Sequence, residues 1–227
     1  IFLLKYLRDS EEFKNKKIGF VVPQTSLRKT LKGIFKSIYG LKASDVLAPS
    51  DVTKQYYDIL LVDEAHRLHQ YKNISYMGAF KASCERIGLT TDSDELDWIL
   101  HQCKCPVLFY DEMQVVGPSG IDVKRFRSKM KIEQARRTMT YYNLLTQMRV
   151  KGGNDYISYV KELLSGEVKE KKEFKNYDLI LMTDFAKFND LMYQKEQEIG
   201  LVRMAAGYAW DLSLIHISEP TRRSYIS

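Results

Sequence analysis

Two adjacent carboxylates follow a run of apolar residues in the first third of the chain. Ile59-Leu60-Leu61-Val62 is typical of a buried strand, and Asp63 and Glu64 come directly after it. Open α/β sheets bind their ligands at the carboxyl ends of the strands. ATP hydrolysis needs one acid that holds Mg²⁺, usually through water, and a second that activates the attacking water. We therefore predict Asp63 as the Mg²⁺ residue and Glu64 as the general base; an acidic strand end that caps the next helix is the alternative.

A second predicted strand ends in a similar polar group. Asp111 and Gln114 follow the apolar segment Pro106-Val107-Leu108-Phe109-Tyr110. Asp-x-x-Gln after a strand resembles the motif of superfamily 1 helicases in which the Gln senses the γ-phosphate and links the nucleotide to the nucleic-acid track. The resemblance implies that both residues contact the nucleotide. A polar strand terminus without a function is the alternative.

A third segment, Leu144-Leu145-Thr146-Gln147-Met148-Arg149, resembles the motif at the start of the second helicase lobe. The resemblance implies that Gln147 contacts the nucleotide and that Arg149 serves as an arginine finger. Such an arginine stabilises the charge that builds up on the transferred phosphoryl group. An exposed arginine before the Lys151-Gly152-Gly153 turn is the alternative.

The segment from Val21 to Arg28 resembles the early helicase motif whose strand end and helix start touch the nucleic-acid backbone. The nucleic-acid-binding residues that it implies are Pro23, Gln24, Thr25, Ser26 and Arg28. Helix N-termini are favourable phosphate sites because their first N–H groups have no partner within the helix. An ordinary helix N-cap at Thr25 or Ser26 is an equally good explanation of the same residues.

These motifs, in this order and together with residues 200–210, resemble the helicase-type ATPase domain shared by uncharacterised bacterial ATP-binding proteins and the large schlafen proteins. The resemblance implies an α/β fold of the RecA-like P-loop NTPase type, with a parallel sheet, that binds ATP and Mg²⁺. It divides the chain into a nearly complete first lobe at residues 1–122, a basic connector at 123–139 and a truncated second lobe at 140–211.

The phosphate-binding loop of such proteins is absent, because no G-x-x-x-x-G-K-[ST] sequence occurs in the 227 residues. The helix at Ile1 resembles the one that follows this loop, so we expect the loop a few residues upstream and the late helicase motifs after Trp210. We expect the chain by itself to bind ATP poorly and not to hydrolyse it. Residues 212–227 resemble a translated sequencing adapter, and we exclude them from the fold.

The elements that must position the motifs follow from the spacing of apolar residues. Predicted strands lie at residues 17–22, 58–62, 106–110 and 177–182, and predicted helices lie at the start of the chain and at about 26–38, 76–87, 155–164 and 184–199. Asp92-Ser93-Asp94-Glu95 has capping-box spacing before a further helix. Strands that alternate with helices predict a parallel sheet covered on both faces.

The composition indicates more about the cellular compartment and possible partners than about the reaction. The formal net charge of +6 permits a polyanionic partner, such as single-stranded DNA or RNA, but does not require one. No apolar run is long enough for a membrane span. Cys84, Cys103 and Cys105 are few and odd in number, which favours a reducing, cytoplasmic compartment. Cys103 and Cys105 lack the second ligand pair that a structural zinc site needs.

Three classes of function follow from these residues. The motifs favour a nucleic-acid-dependent ATPase, that is, a DNA or RNA helicase or translocase. The first alternative is a P-loop ATPase switch that acts on a protein partner and does not move along nucleic acid; the sequence does not identify such a partner. The second is a non-catalytic nucleic-acid-binding module. The carboxylate pair, Gln114 and Arg149 argue against that module, because binding alone requires none of them.

Overall fold

Four strands form one sheet in the computed structural model, which describes residues 1–115, 118–144, 150–151, 153–175 and 177–204. The strands are β1 (Ile18–Val21), β2 (Val46–Leu47), β3 (Tyr57–Val62) and β4 (Cys103–Leu108), in the spatial order β2-β1-β3-β4. All three pairings between neighbouring strands of this sheet are parallel. The predicted α/β class with a parallel sheet is confirmed.

Eight α-helices are described in the same residues. They are α1 (Phe2–Asp9), α2 (Thr25–Ser37), α3 (Pro49–Val52), α4 (Met77–Arg86), α5 (Glu95–His101), α6 (Val123–Gln134), α7 (Gly153–Ser165) and α8 (Phe185–Ile199). Short 3₁₀ turns lie at Glu11–Phe13, Ala43–Asp45, Ala65–Arg67 and Glu112–Gln114. None of the described helices combines the length and the apolar character needed to cross a bilayer.

The chain divides into two compact units, Ile1–Tyr141 and Tyr142–Ser227. The sheet and helices α1 to α6 lie in the first unit, and α7 and α8 lie in the second. The lobe limits at residues 122 and 140 that the family resemblance implies stay predictions.

Strand β3 lies inside the sheet, and its side chains fill the core on both faces. Leu60 and Val62 pack in the cluster that contains Leu96 of α5, whereas Leu61 packs in the cluster that contains Phe35 of α2. Leu60 and Val62 have no exposed surface and Leu61 is 2% exposed. Burying one such side chain stabilises the fold by about 1.5–3 kcal/mol. The strand end that carries Asp63 and Glu64 is therefore firmly fixed in position.

The start of α5 differs from the predicted capping box. The helix is capped by Asp94, whose Oδ1 accepts hydrogen bonds from the backbone N–H groups of Leu96 and Asp97 at 3.1 Å. Asp97 completes the box by accepting the backbone N–H of Asp94 at 2.8 Å. The expected box at residues 92–95 is therefore wrong by two positions. The run contains several acidic residues, and the tertiary position of the helix selects among them.

The basic stretch after residue 122, which we expected to be a connector, contains helix α6. Asp122 caps this helix by accepting the backbone N–H of Arg125 at 2.9 Å. Met130 and Glu133 are its buried residues. The apolar periodicity predicted no helix here, because Lys and Arg occupy five of the twelve positions and only a few side chains face the core.

In the second unit, the predicted helices at residues 155–164 and 184–199 are confirmed, but the predicted strand at 177–182 is wrong. Tyr177 forms a single isolated bridge with Phe174. Ile180 and Leu181, which follow it, are 60% and 79% exposed. A strand needs a neighbour for its backbone groups, and no described strand of this unit pairs with these residues.

Two glycines of the first unit provide a test of the packing. Gly33 lies inside α2, and a Cβ built there meets no atom within 4 Å, so Gly33→Ala should raise the free energy of unfolding by about 1 kcal/mol. A Cβ on Gly19 would lie 2.6 Å from Cδ1 of Leu47 and 2.9 Å from Cδ2 of Leu60. Gly19→Ala should therefore destabilise the protein by about 1–3 kcal/mol. Urea denaturation measures both changes, and the opposite order of stabilities would contradict this packing.

Candidate functional site

The ends of β3 and β4 bring the two predicted acidic motifs to the same edge of the sheet. Val62 and Leu108 are partners in the parallel register, so Asp63–Glu64 and Asp111–Gln114 both follow at the carboxyl edge. The turns after the strands are also joined, because the backbone N–H of Ala65 donates to the carbonyl oxygen of Phe109 at 2.8 Å. The two acidic motifs therefore lie at one edge of the sheet, whereas the roles predicted for their side chains stay predictions.

The early motif starts at the same edge, because β1 is the other neighbour of β3. The backbone N–H of Asp63 donates to the carbonyl oxygen of Val21 at 3.0 Å. The chain leaves β1 toward β2 and leaves β3 toward β4, on opposite sides. Connections that diverge in this way open a crevice at the carboxyl ends of parallel strands, where open α/β sheets bind ligands. Pro23 and Gln24 follow β1 and half-buried Asp63 follows β3, so these residues flank the point where such a crevice is expected.

Glu64 has a left-handed backbone conformation, with φ 53° and ψ 45°. For a residue with a Cβ this conformation costs roughly 1–2 kcal/mol, so the surrounding contacts must hold it in place. The carbonyl oxygen of Glu64 accepts the backbone N–H of Arg67 at 2.8 Å. Its side-chain Oε2 accepts a hydrogen bond from Nε of Arg67 at 3.1 Å. Backbone strain concentrated at a candidate catalytic carboxylate is typical of functional sites.

His66 connects the two strand ends through its ring. The side chain is buried, and its Nδ1 accepts the backbone N–H of Asp111 at 3.3 Å. This contact places the ring proton on Nε2. Nε2 lies 3.0 Å from Oε2 of Glu64, which allows electrostatic attraction, although the angle does not give a proper hydrogen bond. A displacement of the Asp111 backbone would therefore move the imidazole that faces Glu64.

Gln114 is held by the acid of its own motif. Oδ2 of Asp111 accepts a hydrogen bond from Nε2 of Gln114 at 2.7 Å, and Oδ1 accepts the backbone N–H of Met113 at 2.9 Å. Gln114 is exposed, so its side chain can reach a ligand once it leaves Asp111. The spacing Asp-x-x-Gln thus has a local structural explanation in addition to its functional one.

Arg28 differs from the other predicted nucleic-acid-binding residues, because its guanidinium is bonded to its own chain. Nη1 donates to the carbonyl oxygens of Val22 and Pro23, both at 2.7 Å, and Nη2 donates to Oγ1 of Thr25 at 3.0 Å. These bonds fix the turn between β1 and α2. The N-cap residue of α2 is Gln24, whose side chain makes no capping bond, so the suggested cap at Thr25 or Ser26 is wrong.

The structure gives less information about the remaining predicted residues. Gln147 and Arg149 lie outside the described residues. Among the residues that the structure describes, no three His, Cys, Asp or Glu side chains lie close enough together to hold a metal ion. Cys103 is buried, and burial raises the pKa of its thiol to about 12, whereas Cys105 on the same strand is exposed.

The charges of α6 are mostly bonded within the protein. Nε of Arg125 lies 2.6 Å from Oδ2 of buried Asp94, and Lys129 pairs with Asp94 and Asp97. Arg127 pairs with Glu112 in the candidate site at 2.9 Å. This basic helix therefore anchors α5 and the end of β4, which its sequence alone did not indicate.

A buried polar cluster holds the segment that follows the site. Glu95, which is 4% exposed, accepts the backbone N–H of His69 at 2.9 Å and the hydroxyl of Tyr76 at 3.2 Å. Nδ1 of His69 lies 3.4 Å from the same carboxylate, and this contact raises the pKa of His69. Sequence reasoning missed the cluster, because Glu95 is 26 positions away from His69 and no motif links them.

The backbone conformation of Glu64 leads to a stability prediction. A Gly at this position relieves the left-handed strain, whereas an Ala keeps it, and both remove the side-chain contacts of the glutamate. We expect Glu64→Gly to be more stable than Glu64→Ala by roughly 1 kcal/mol, which reverses the usual order of Gly and Ala at helical positions. Chemical denaturation of the two variants measures the difference. An Ala variant that equals or exceeds the Gly variant would contradict the left-handed conformation.

The pair of His69 and Glu95 makes stability depend on pH. The pKa of His69 is raised in the folded protein above the value of about 6.5 for an unfolded chain. Its contribution is therefore fully present below about pH 6.5 and is lost as the pH rises through the folded-state pKa. Urea midpoints between about pH 6 and 9 should decrease less steeply in His69→Gln than in the wild type. Parallel curves for the two proteins would exclude this linkage.

Comparison with known proteins confirms the family resemblance. A protein-family model described as "Schlafen group 3, DNA/RNA helicase domain" matches residues 8–226. Searches of curated proteins and of solved structures gave no match. The matched range includes residues 212–226, and our interpretation of those residues as adapter sequence stays a prediction. Because this family model matches nearly the whole sequence, the chain belongs to the schlafen group 3 DNA/RNA helicase domain family.

Proposed function

We propose that this domain is part of a nucleic-acid-dependent ATPase of RecA-like P-loop type, a helicase or translocase that acts on single-stranded DNA or RNA. The observation that carries the proposal is the meeting of Asp63–Glu64 and Asp111–Gln114 at one sheet edge, joined through His66. Family membership makes a helicase-like ATPase the expected chemistry. Neither a structural strand end nor simple nucleic-acid binding requires this combination of residues.

The carboxylates of β3 suit Mg²⁺ and water. Oxygen ligands are the ones that Mg²⁺ prefers, and Asp63 lies half-buried beside the crevice, so it would hold the ion through water. When bound, Mg²⁺ would neutralise charge on the phosphate oxygens of ATP. Glu64 is the next residue, and we propose that its carboxylate orients the attacking water and accepts its proton.

In this proposal, the motif Asp111–Gln114 after β4 couples the bound nucleotide to movement along nucleic acid. Gln114 would exchange its bond with Asp111 for the γ-phosphate, and Asp111 would then be free to move. The Asp111 backbone contacts His66, which faces Glu64. In this proposal the two strand ends respond together to the presence of the γ-phosphate. The nucleotide contacts that the family resemblance implies for Gln147 and Arg149 stay predictions.

The edge strand β4 offers a place for the strand that precedes the expected phosphate loop. Among the described strands, β4 pairs only with β3, so its other edge can accept a further parallel strand. We propose that the strand preceding the expected phosphate loop pairs there.

Free thiols at Cys84, Cys103 and Cys105 accord with a cytoplasmic location, which we retain as a prediction.

Steady-state ATP hydrolysis tests the proposal in the protein extended upstream to include a phosphate loop. Single-stranded DNA or RNA should stimulate turnover, and Glu64→Gln should lower kcat by about 100-fold or more, because it removes the general base. Glu12→Gln, at an exposed position on the 3₁₀ turn, is the matched control and should leave turnover unchanged.

The other outcomes of this assay have distinct meanings. Turnover that ignores nucleic acid would favour a switch that acts on a protein partner. Full activity in Glu64→Gln would remove Glu64 from the role of base. No turnover with an intact phosphate loop would exclude both catalytic functions.

A further inference from the structure

A long part of the first unit carries only positive charge. Residues 13–44 contain no Asp or Glu, although the whole chain has 29 acidic residues. The cations of this stretch are Lys14, Lys16, Lys17, Arg28, Lys29, Lys32, Lys36 and Lys42. Four of them lie on α2. Because the stretch contains no Asp or Glu, this helix has no acidic residue of its own to balance its charge.

Three of the α2 cations form one exposed face, which we call the α2 lysine face: Lys29, Lys32 and Lys36. At 100° per residue these side chains fall within about 60° of one another around the helix. They point away from the buried residues Leu31 and Phe35, and all three are exposed. Thr25 in the first turn lies in the same arc, so the face extends for about 16 Å along the helix axis.

The α2 lysine face has no internal role comparable with that of α6. On α6, Arg125, Arg127 and Lys129 each pair with a carboxylate. None of the ion pairs found among the described residues includes a side chain of the α2 lysine face. Lys32 interacts electrostatically with Asp51, but that carboxylate already pairs with Lys54 at 2.6 Å. Like charges three and four positions apart destabilise a helix, so folding alone does not explain this arrangement.

A glycine within the face is the second, independent observation. Gly33 lies next to Lys32 inside α2, where glycine costs about 1 kcal/mol of helix stability relative to alanine. No atom of the protein lies within 4 Å of a Cβ built there, so packing does not require a glycine. A residue without a side chain lets the backbone of a ligand approach the helix closely.

The bonding of Arg28 separates it from this face. Its donors are used by the carbonyl oxygens of Val22 and Pro23 and by the Thr25 hydroxyl. The lysines beyond it point to solvent. A phosphate that approaches α2 thus meets exposed ammonium groups at Lys29, Lys32 and Lys36, whereas the guanidinium is already occupied.

We propose that the phosphate backbone of a nucleic-acid strand lies along the α2 lysine face and passes over Gly33. The inference rests on the proposed nucleic-acid-dependent function and names the surface that the strand contacts. Each lysine neutralises one phosphate and releases its counterions, so the contact is electrostatic and independent of base sequence. Arg28 acts in this interface only by shaping the turn that starts the helix.

The test is binding of a fluorescently labelled oligo-dT strand to the full chain, measured by anisotropy over a series of salt concentrations. The variant is Lys29→Gln, Lys32→Gln, Lys36→Gln. Its control is Lys72→Gln, Lys81→Gln, Lys104→Gln, which removes the same charge from exposed positions elsewhere on the first unit. Loss of three phosphate contacts should reduce the slope of log K against log salt by about 2, whereas the control should keep nearly the wild-type slope.

Two single substitutions separate binding from folding. Gly33→Ala should weaken binding a few-fold while raising the thermal midpoint, and Arg28→Lys should lower the thermal midpoint while keeping the salt slope. An unchanged slope in the triple lysine variant, or an equal loss in its control, would overturn the α2 lysine face. If the wild-type chain binds no oligonucleotide at low salt, the proposed nucleic-acid function itself is overturned.

Discussion

The parallel pairing of β3 with β4 is the constraint on which the candidate site depends. Both strands end at the same level, because Val62 is in register with Leu108. The polar residues that follow them are separated by about 45 positions in sequence, as His66 and Asp111 are, yet they are in direct contact. Without this pairing, the two acidic motifs would be unrelated strand ends.

The site combines a rigid support with local strain. β3 is buried on both faces, so its end cannot shift without disturbing two hydrophobic clusters. Glu64, two residues after the strand end, has a left-handed conformation, which its contacts with Arg67 and the Ala65–Phe109 hydrogen bond maintain. The cost of that conformation is small compared with the burial energy of the strand. The fold can therefore hold a carboxylate in an unfavourable backbone geometry at the crevice.

Positive charge has two different uses in the first unit. On α6, arginine and lysine satisfy buried or half-buried carboxylates such as Asp94, which is fully buried and would be very costly without a partner. On α2, the lysines face solvent and have no ion-pair partner in the described part of the chain. Net charge alone does not distinguish these uses, since both helices are basic. The difference lies in where the neighbouring carboxylates are placed.

The sequence by itself determined strands β1, β3 and β4 and the longer apolar helices of the first unit, but not β2, α3 or α6. It also determined the position of Asp63 and Glu64 after a buried strand. These features are local, because apolar periodicity and strand ends depend on residues a few positions apart. Only the tertiary structure decided the rest: the contact of His66 with Asp111, the use of Arg28 within its own turn and the cap at Asp94. It also formed no strand at residues 177–182, because a strand forms only where a neighbour accepts its hydrogen bonds. Contacts between distant residues depend on how whole elements pack, and no local pattern in the chain encodes them.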